Sequence, residues 1–280
     1  MNLLLESQWL FIALVGGIGL LFGSFFNVVI YRLPIMLKRD WRQQYFASIE
    51  QEPPAEPRFD LFLPASRCPN CQHVIKYYEN IPLVSWLFLK GCCSQCDNPI
   101  SMRYPLVELA TALLSMLVAA YFGVSSATFF ALIFSWALLI LALIDIDQLL
   151  LPDSLTQPLL WLGLLVSLNG TFIDLQASVI GAIAGYSVLF ITVFMFKLIT
   201  GKNGMGKGDF KLLAALGAWL GWQSLPLVLI IAVLATLCLS IVYTFSNKAK
   251  PLLPFGPGLA IAGGICLFYS NAINSWLLNF

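Results

Sequence analysis

Residues 127–153 read ATFFALIFSWALLILALIDIDQLLLPD. No charged side chain occurs from Ala127 to Ile144, and then Asp145, Asp147 and Asp153 follow within nine residues. An apolar run of this size approaches the ~20 residues that carry an α-helix across a bilayer. Carboxylates at the end of such a helix are costly to place, so each is a candidate for function. The same apolar pattern recurs at 9–30, 105–122, 155–170, 175–197, 209–221, 225–245 and 256–278, which with 127–146 makes eight spans. The chain as a whole agrees: 59% of its residues are hydrophobic and 10% are charged, against roughly 25% charged in soluble domains. A water-facing surface cannot be built from that composition. The expected fold is an all-α polytopic membrane protein of about eight transmembrane helices, surrounded by lipid and with no nucleic-acid partner.

The basic residues orient the spans. Nine of the fifteen Lys and Arg lie between Arg32 and Arg103, four lie at Lys197, Lys202, Lys207 and Lys211, and two at Lys248 and Lys250. With eight spans these clusters share one side, which the positive-inside rule makes cytoplasmic, and both termini fall outside. Met1–Gln8 carries Glu6 and no basic residue, and the apolar run from Trp9 to Ile30 exceeds a signal-peptide core, so a retained first span is expected. The division that follows is a first transmembrane helix (1–30), a cytoplasmic domain (31–104) and a transmembrane core (105–280). Pro53, Pro54 and Pro57 suggest a linker in the cytoplasmic part.

Five of the seven cysteines fall between Cys68 and Cys96. Cys68–Cys71 and Cys93–Cys96 form two CxxC pairs with 21 residues between them. A CxxC turn brings two thiolates to one ion, and two such knuckles complete a structural four-sulfur zinc site. Cys92 is an alternative ligand to Cys93, a pair of redox disulfides is the competing reading, and His73 reads as a loop histidine. Cys238 and Cys266 lie in apolar spans and read as buried small hydrophobes.

Asp209 follows the glycine-rich run Gly204-Met205-Gly206-Lys207-Gly208 and opens a short span. Asp145 falls at the same face in the eight-span arrangement. Two nearby carboxylates cannot both ionise readily, and a pair sharing a proton can act as general base on water and general acid toward an amide. Asp209 at a helix start favours the anion, and Asp145 at a helix end favours the neutral acid. Asp153, after Pro152, reads as a helix N-cap, and Asp147 or Asp153 could attract a basic peptide. Helix caps and interfacial loop residues are the plainer reading of all these acids, and a transporter or a non-catalytic assembly factor is the competing function.

Several segments together resemble the type IV prepilin peptidase family: Gly23-Ser24-Phe25-Phe26-Asn27 through Pro34, the double CxxC, Glu79-Asn80-Ile81-Pro82 through Trp86, Arg103-Tyr104-Pro105 through Glu108, the stretch Asp145–Asp153, and Gly206-Lys207-Gly208-Asp209. The resemblance implies a GxGD aspartyl membrane protease with Asp145 and Asp209 as the catalytic pair and Cys68, Cys71, Cys93 and Cys96 on zinc. It implies cleavage of the basic leader of type IV prepilins and type II secretion pseudopilins after a glycine, at the cytoplasmic face of the bacterial inner membrane. It also implies N-methylation of the new N-terminus from S-adenosylmethionine, with Glu79, Asn80 and Gly91 as candidate cofactor-binding residues. The chain departs from many relatives in carrying Cys92 where they are basic, which bears on methyl transfer. A preflagellin or presenilin-like GxGD protease, which lacks the ribbon, is the nearest enzyme alternative.

Overall fold

The computed structural model describes residues 7–54, 56–202, 204–245 and 253–277, with side chains as far as Tyr269. Glu6, Lys248, Lys250 and the last residue of the expected 256–278 span lie outside the described residues. Among the described residues the fold is helical: α1 (Gln8–Ser48), α2 (Val84–Phe88), α3 (Arg103–Phe122), α4 (Ser126–Gln148), α5 (Asp153–Ser167), α6 (Leu175–Thr200), α7 (Lys207–Leu220), α8 (Leu225–Phe245) and α9 (Gly256–Leu277). The eight long helices stand at the eight positions that the apolar runs predict. By length and composition five regions can cross a membrane: α1, α3, α4, α6 and the stretch Trp222–Phe245 that holds α8. Gly256–Tyr269 is a shorter apolar helix. At 15 and 14 residues, α5 and α7 are about 20 Å long at 1.5 Å per residue, short of a ~30 Å hydrocarbon core.

The chain divides into two compact units, residues 1–124 and 125–280. In the first, α1 packs on α3 through small residues. A Cβ at Gly16 would meet Met116, one at Gly19 would meet Ser115 and Ala112, and one at Gly23 would lie 2.7 Å from the Glu108 Cα. Such close backbone approach is how helices associate where lipid offers no hydrophobic drive. The hydroxyls of Thr111 and Ser115 donate within α3 to the carbonyls of Val107 and Thr111, each at 2.7 Å, so no polar atom there is left bare.

α1 continues past the expected end at Ile30 to Ser48. Pro34 lies inside it, and no other proline or glycine interrupts residues 31–48. Beside the prolines expected as a linker, Glu56 meets this helix: it pairs with Arg39 and Arg42, each at 2.8 Å. Arg39 also stacks its guanidinium 4.6 Å from the Phe59 ring centroid. Arg32 is buried and donates to the Asp60 and Pro64 carbonyls at 2.9 and 2.7 Å, which fixes the chain on its way into the ribbon.

In the second unit α7 is the centre, buried from Leu212 through Leu220. α6 crosses it where Gly181 faces Gly217, backbone on backbone, and Gly185 faces the Leu213 carbonyl. Ser178 donates to the Ala218 carbonyl at 2.6 Å. Trp219 fills the space over Gly163 of α5 and donates from Nε1 to the Leu159 carbonyl at 2.8 Å. α9 reaches both α7 and α4 at Gly263, between Leu216 and Leu138. Asp153 is not the N-cap of α5: Pro152 holds that place, and Asp153 in the first turn pairs with Lys211 of α7 at 2.6 Å.

A side chain at Gly217 has nowhere to go, because its Cβ would fall on the Gly181 carbonyl. Gly217→Ala is expected to lower stability by about 1–3 kcal/mol, the usual cost of overpacking. Gly264→Ala, whose Cβ would meet nothing within 4 Å, is the matched control. Thermal melting of the detergent-solubilised chain compares the two.

Candidate active site and metal centre

Asp145 and Asp209 belong to the same unit. Asp145 lies in the last turn of α4, 5% exposed. Leu149 closes that helix in a left-handed conformation and donates its N–H to the Asp145 carbonyl at 2.9 Å. Leu151 then rests on the first turn of α7, where a Cβ at Gly208 would come within 2.8 Å of its side chain. The glycine thus lets the chain leaving α4 meet the start of α7, where Asp209 sits 8% exposed. The Asp209 carboxylate lies beside the N–H of Gly206, and Asp145 is near enough for its charge to act on Asp209.

A third element joins this pair. The Gly256 N–H, at the start of α9, donates to Asp145 Oδ2 at 2.9 Å. A Cβ at Gly256 would lie 2.6 Å from that same oxygen. Both carboxylates therefore meet backbone N–H groups at helix starts, so helix ends alone no longer assign one as base and the other as acid. Asp147 is exposed on the last turn of α4. Sequence reading missed Gly256, because a Gly-Pro-Gly run signals a turn and says nothing of what that turn approaches.

In the first unit the Sγ atoms of Cys68, Cys71, Cys93 and Cys96 lie within 4.8 Å of one another. Cys68–Cys96 and Cys71–Cys93 are separated by 3.8 and 3.9 Å. A tetrahedral zinc with Zn–S bonds of ~2.3 Å needs sulfurs about 3.8 Å apart, so the four side chains fit such an ion. The His73 N–H favours a Cys71 thiolate, yet burial and the neighbouring Cys96, Cys68 and Cys93 sulfurs push the Cys71 thiol up to about 12. Cys93 takes the fourth place, while Cys92 turns away toward the Lys90 carbonyl, 3.7 Å from its Sγ.

Glu79 ties the two knuckles together. Its Oε1 accepts from the Ser94 hydroxyl at 2.6 Å, and its Oε2 meets the Lys76 N–H at 2.9 Å and His73 Nε2 at 3.1 Å. His73 follows the first pair and Ser94 sits inside the second. Ser94 first, then the Lys76 N–H, with His73 adding to them against the cost of burial, hold the Glu79 carboxyl down at about 2. Because this lies below the ordinary 4.5, the brace contributes stability above about pH 4.5 and loses it as pH falls toward 2.

Glu79 and Asn80 also line a cavity of about 670 Å³ bounded by the ribbon, α1 and α3, a size typical of small-molecule sites. Gly91 stands behind its wall. With φ +72°, and a Cβ position 2.8 Å from the Trp86 ring, it holds that lining residue in place. Glu108 lines the same cavity from within α3; the rule that singles out ionisable groups in spans reaches it too.

An all-helical membrane chain with a buried pair of aspartates at helix ends, and a four-cysteine ribbon beside a separate cavity, defines a membrane protein with two candidate sites. The comparisons with known proteins give the family. Residues 18–122 match the bacterial peptidase A24 N-terminal domain, and residues 132–270 match the type IV leader peptidase family. Proteins named prepilin leader peptidase/N-methyltransferase are similar along their length. The one from Aeromonas hydrophila is 52% identical, covering 99% of each chain. That from Pseudomonas aeruginosa is 48% identical, covering 94% of this chain and 92% of its own, and that from Legionella pneumophila is 41% identical, covering 99% and 98%. No solved structure matches. The chain belongs to the type IV leader peptidase family.

Glu79→Gln sets an amide N–H₂ among three hydrogen-bond donors. Metal retention against a competing chelator is expected to fall about tenfold, as for other groups that orient ligands from behind. Loss of ribbon stability between pH 4.5 and 2 should flatten in the same variant. Equal chelator resistance in both proteins would show that Glu79 does not brace the knuckles.

Proposed function

We propose that this protein is a prepilin leader peptidase that also N-methylates its product. It removes the basic leader of type IV prepilins and type II secretion pseudopilins after a glycine, with Asp145 and Asp209 as the catalytic pair. The observation that carries the reading is the burial of these two carboxylates within one unit, at the ends of α4 and α7, in a chain of this family. The carboxylates share a proton: one takes a proton from the attacking water, and the other gives one to the scissile carbonyl oxygen. The Gly256 N–H holds Asp145 in register for that exchange, and Gly206 does so for Asp209. The site faces the cytoplasm of the bacterial inner membrane, where residues 31–104 form a ribbon domain and residues 105–280 the transmembrane core.

Zinc on Cys68, Cys71, Cys93 and Cys96 is structural, because four sulfurs leave no open position for water. Methyl transfer belongs to the cavity of the first unit, lined by Glu79 and Asn80 and shaped by Gly91 through Trp86. S-adenosylmethionine supplies an electrophilic methyl group there. The turn of Cys92 away from the other sulfurs leaves the ribbon intact despite its departure from the basic residue of many relatives.

Asp145→Asn and Asp209→Asn are each expected to cut leader cleavage in isolated membranes by at least ~100-fold, at matched protein level and insertion. Wild-type cleavage by either variant would remove that residue from the pair. Gly256→Ala keeps both acids but crowds Asp145. It should lower cleavage about tenfold or more while methylation of an already cleaved peptide persists; parallel loss of both activities would instead mean a general folding defect.

A further inference from the structure

Two acids line the cavity of the first unit, Glu79 and Glu108. Glu79 is committed to the ribbon, with three donors on its two oxygens. Glu108 differs. It lies in α3, a helix apolar enough to cross a membrane, and is 7% exposed. Burying a carboxylate there is costly unless something compensates it. Its partners are neutral: the Leu83 N–H donates to Oε2 at 2.8 Å, and the Ser24 hydroxyl donates as well. Among the described residues no Lys, Arg or His pairs with it. Arg32, the buried cation on the same wall, is held by the Asp60 and Pro64 carbonyls.

The surroundings are arranged to keep Glu108 in this position. Gly23 lets α1 approach the Glu108 backbone closely, which puts Ser24 on the carboxylate. Leu83 adopts φ +58°, a conformation unfavourable for a branched apolar residue, and from there its N–H reaches Glu108. Asn27, Tyr31 and Tyr104 line the cavity beside these residues, and aromatic faces favour cations. A carboxylate held by two neutral donors, with acceptor capacity remaining and a cavity before it, is a seat for a cation.

We infer that Glu108 receives the free α-ammonium of the processed substrate and takes a proton from it before methylation. The inference rests on reading this cavity as the methyl-transfer site. A protonated amine has no lone pair to donate. An N–H bond breaks, the electron pair stays on nitrogen, and the proton passes to a Glu108 oxygen. The nitrogen lone pair then forms the new N–CH₃ bond as the S–CH₃ bond of the methyl sulfonium donor breaks, its pair remaining on sulfur. The substrate class is a primary α-amine at the start of an apolar helical segment, since Glu108 stands five residues into α3, about 7 Å along the helix.

The test uses the full-length protein in detergent with Glu108→Gln, whose amide oxygen still accepts from Leu83 and Ser24. Binding of a cleaved pilin N-terminal peptide is compared with that of its N-acetylated form by fluorescence anisotropy. Transfer of labelled methyl to the free peptide, leader cleavage and melting temperature are measured alongside. Wild type should prefer the free amine about tenfold. Glu108→Gln should lose that preference and methylate at least 100-fold more slowly, with cleavage by the other unit and the melting temperature unchanged. If Glu108→Gln methylates and discriminates as wild type does, the inference falls while the methyl-transfer reading stands. If cleavage and melting temperature fall with methylation, Glu108 is only a brace and the inference also falls. If wild type itself transfers no methyl group, both fall.

Discussion

Two glycines that touch without side chains, Gly181 of α6 and Gly217 of α7, set the closest approach in the second unit. In an apolar surround, helices gain little from hiding hydrophobic faces, so the distance between backbones decides how well they hold. That crossing lets α6 cover α7 directly, with Ser178 reaching across to the Ala218 carbonyl. α5 covers another side through Gly163 and Trp219, and α9 another through Gly263. A helix enclosed in this way has a fixed first turn, and Asp209 is on that turn. The position of the Asp209 carboxylate is thus inherited from packing two to three turns away.

The positions of the long helices were legible because apolar runs bounded by charges or glycines have few other ways to satisfy their backbone. The end of α1 was not. Lys38, Arg39, Asp40 and Arg42 look like the start of a soluble segment, yet a helix can continue into water when its charged face finds partners, as it does in Glu56. The four-cysteine cluster was legible from spacing, Cys93 included, since it stands in CxxC register with Cys96; that Cys92 turns toward the Lys90 carbonyl was not, because adjacent residues differ in where the turn aims them. Asp145 stood out as an acid closing an apolar helix. The Gly256 N–H that meets it comes from 111 residues further along, and no local pattern announces a contact of that range.

The two units use glycine for different ends. In the helices it removes bulk so that backbones meet. In the ribbon, Gly91 supplies a positive φ beneath Trp86, a conformation that other residues adopt only under strain. Motif glycines that look alike in the sequence thus serve packing in one place and chain reversal in another, and only their neighbours tell which.

α7 is both the most enclosed helix and one of the shortest, 14 residues between Gly206 and Gly221. A lipid-facing helix of that length would force the bilayer to thin around it. Wrapped by longer neighbours, it needs no such adjustment, and its length becomes free to serve as a gauge. Each residue added between Asp209 and the turn at Gly221 shifts the carboxylate by about 1.5 Å along the helix axis. The depth of the Asp209 carboxylate is therefore written in the length of one internal helix, independent of the thickness of the membrane around it.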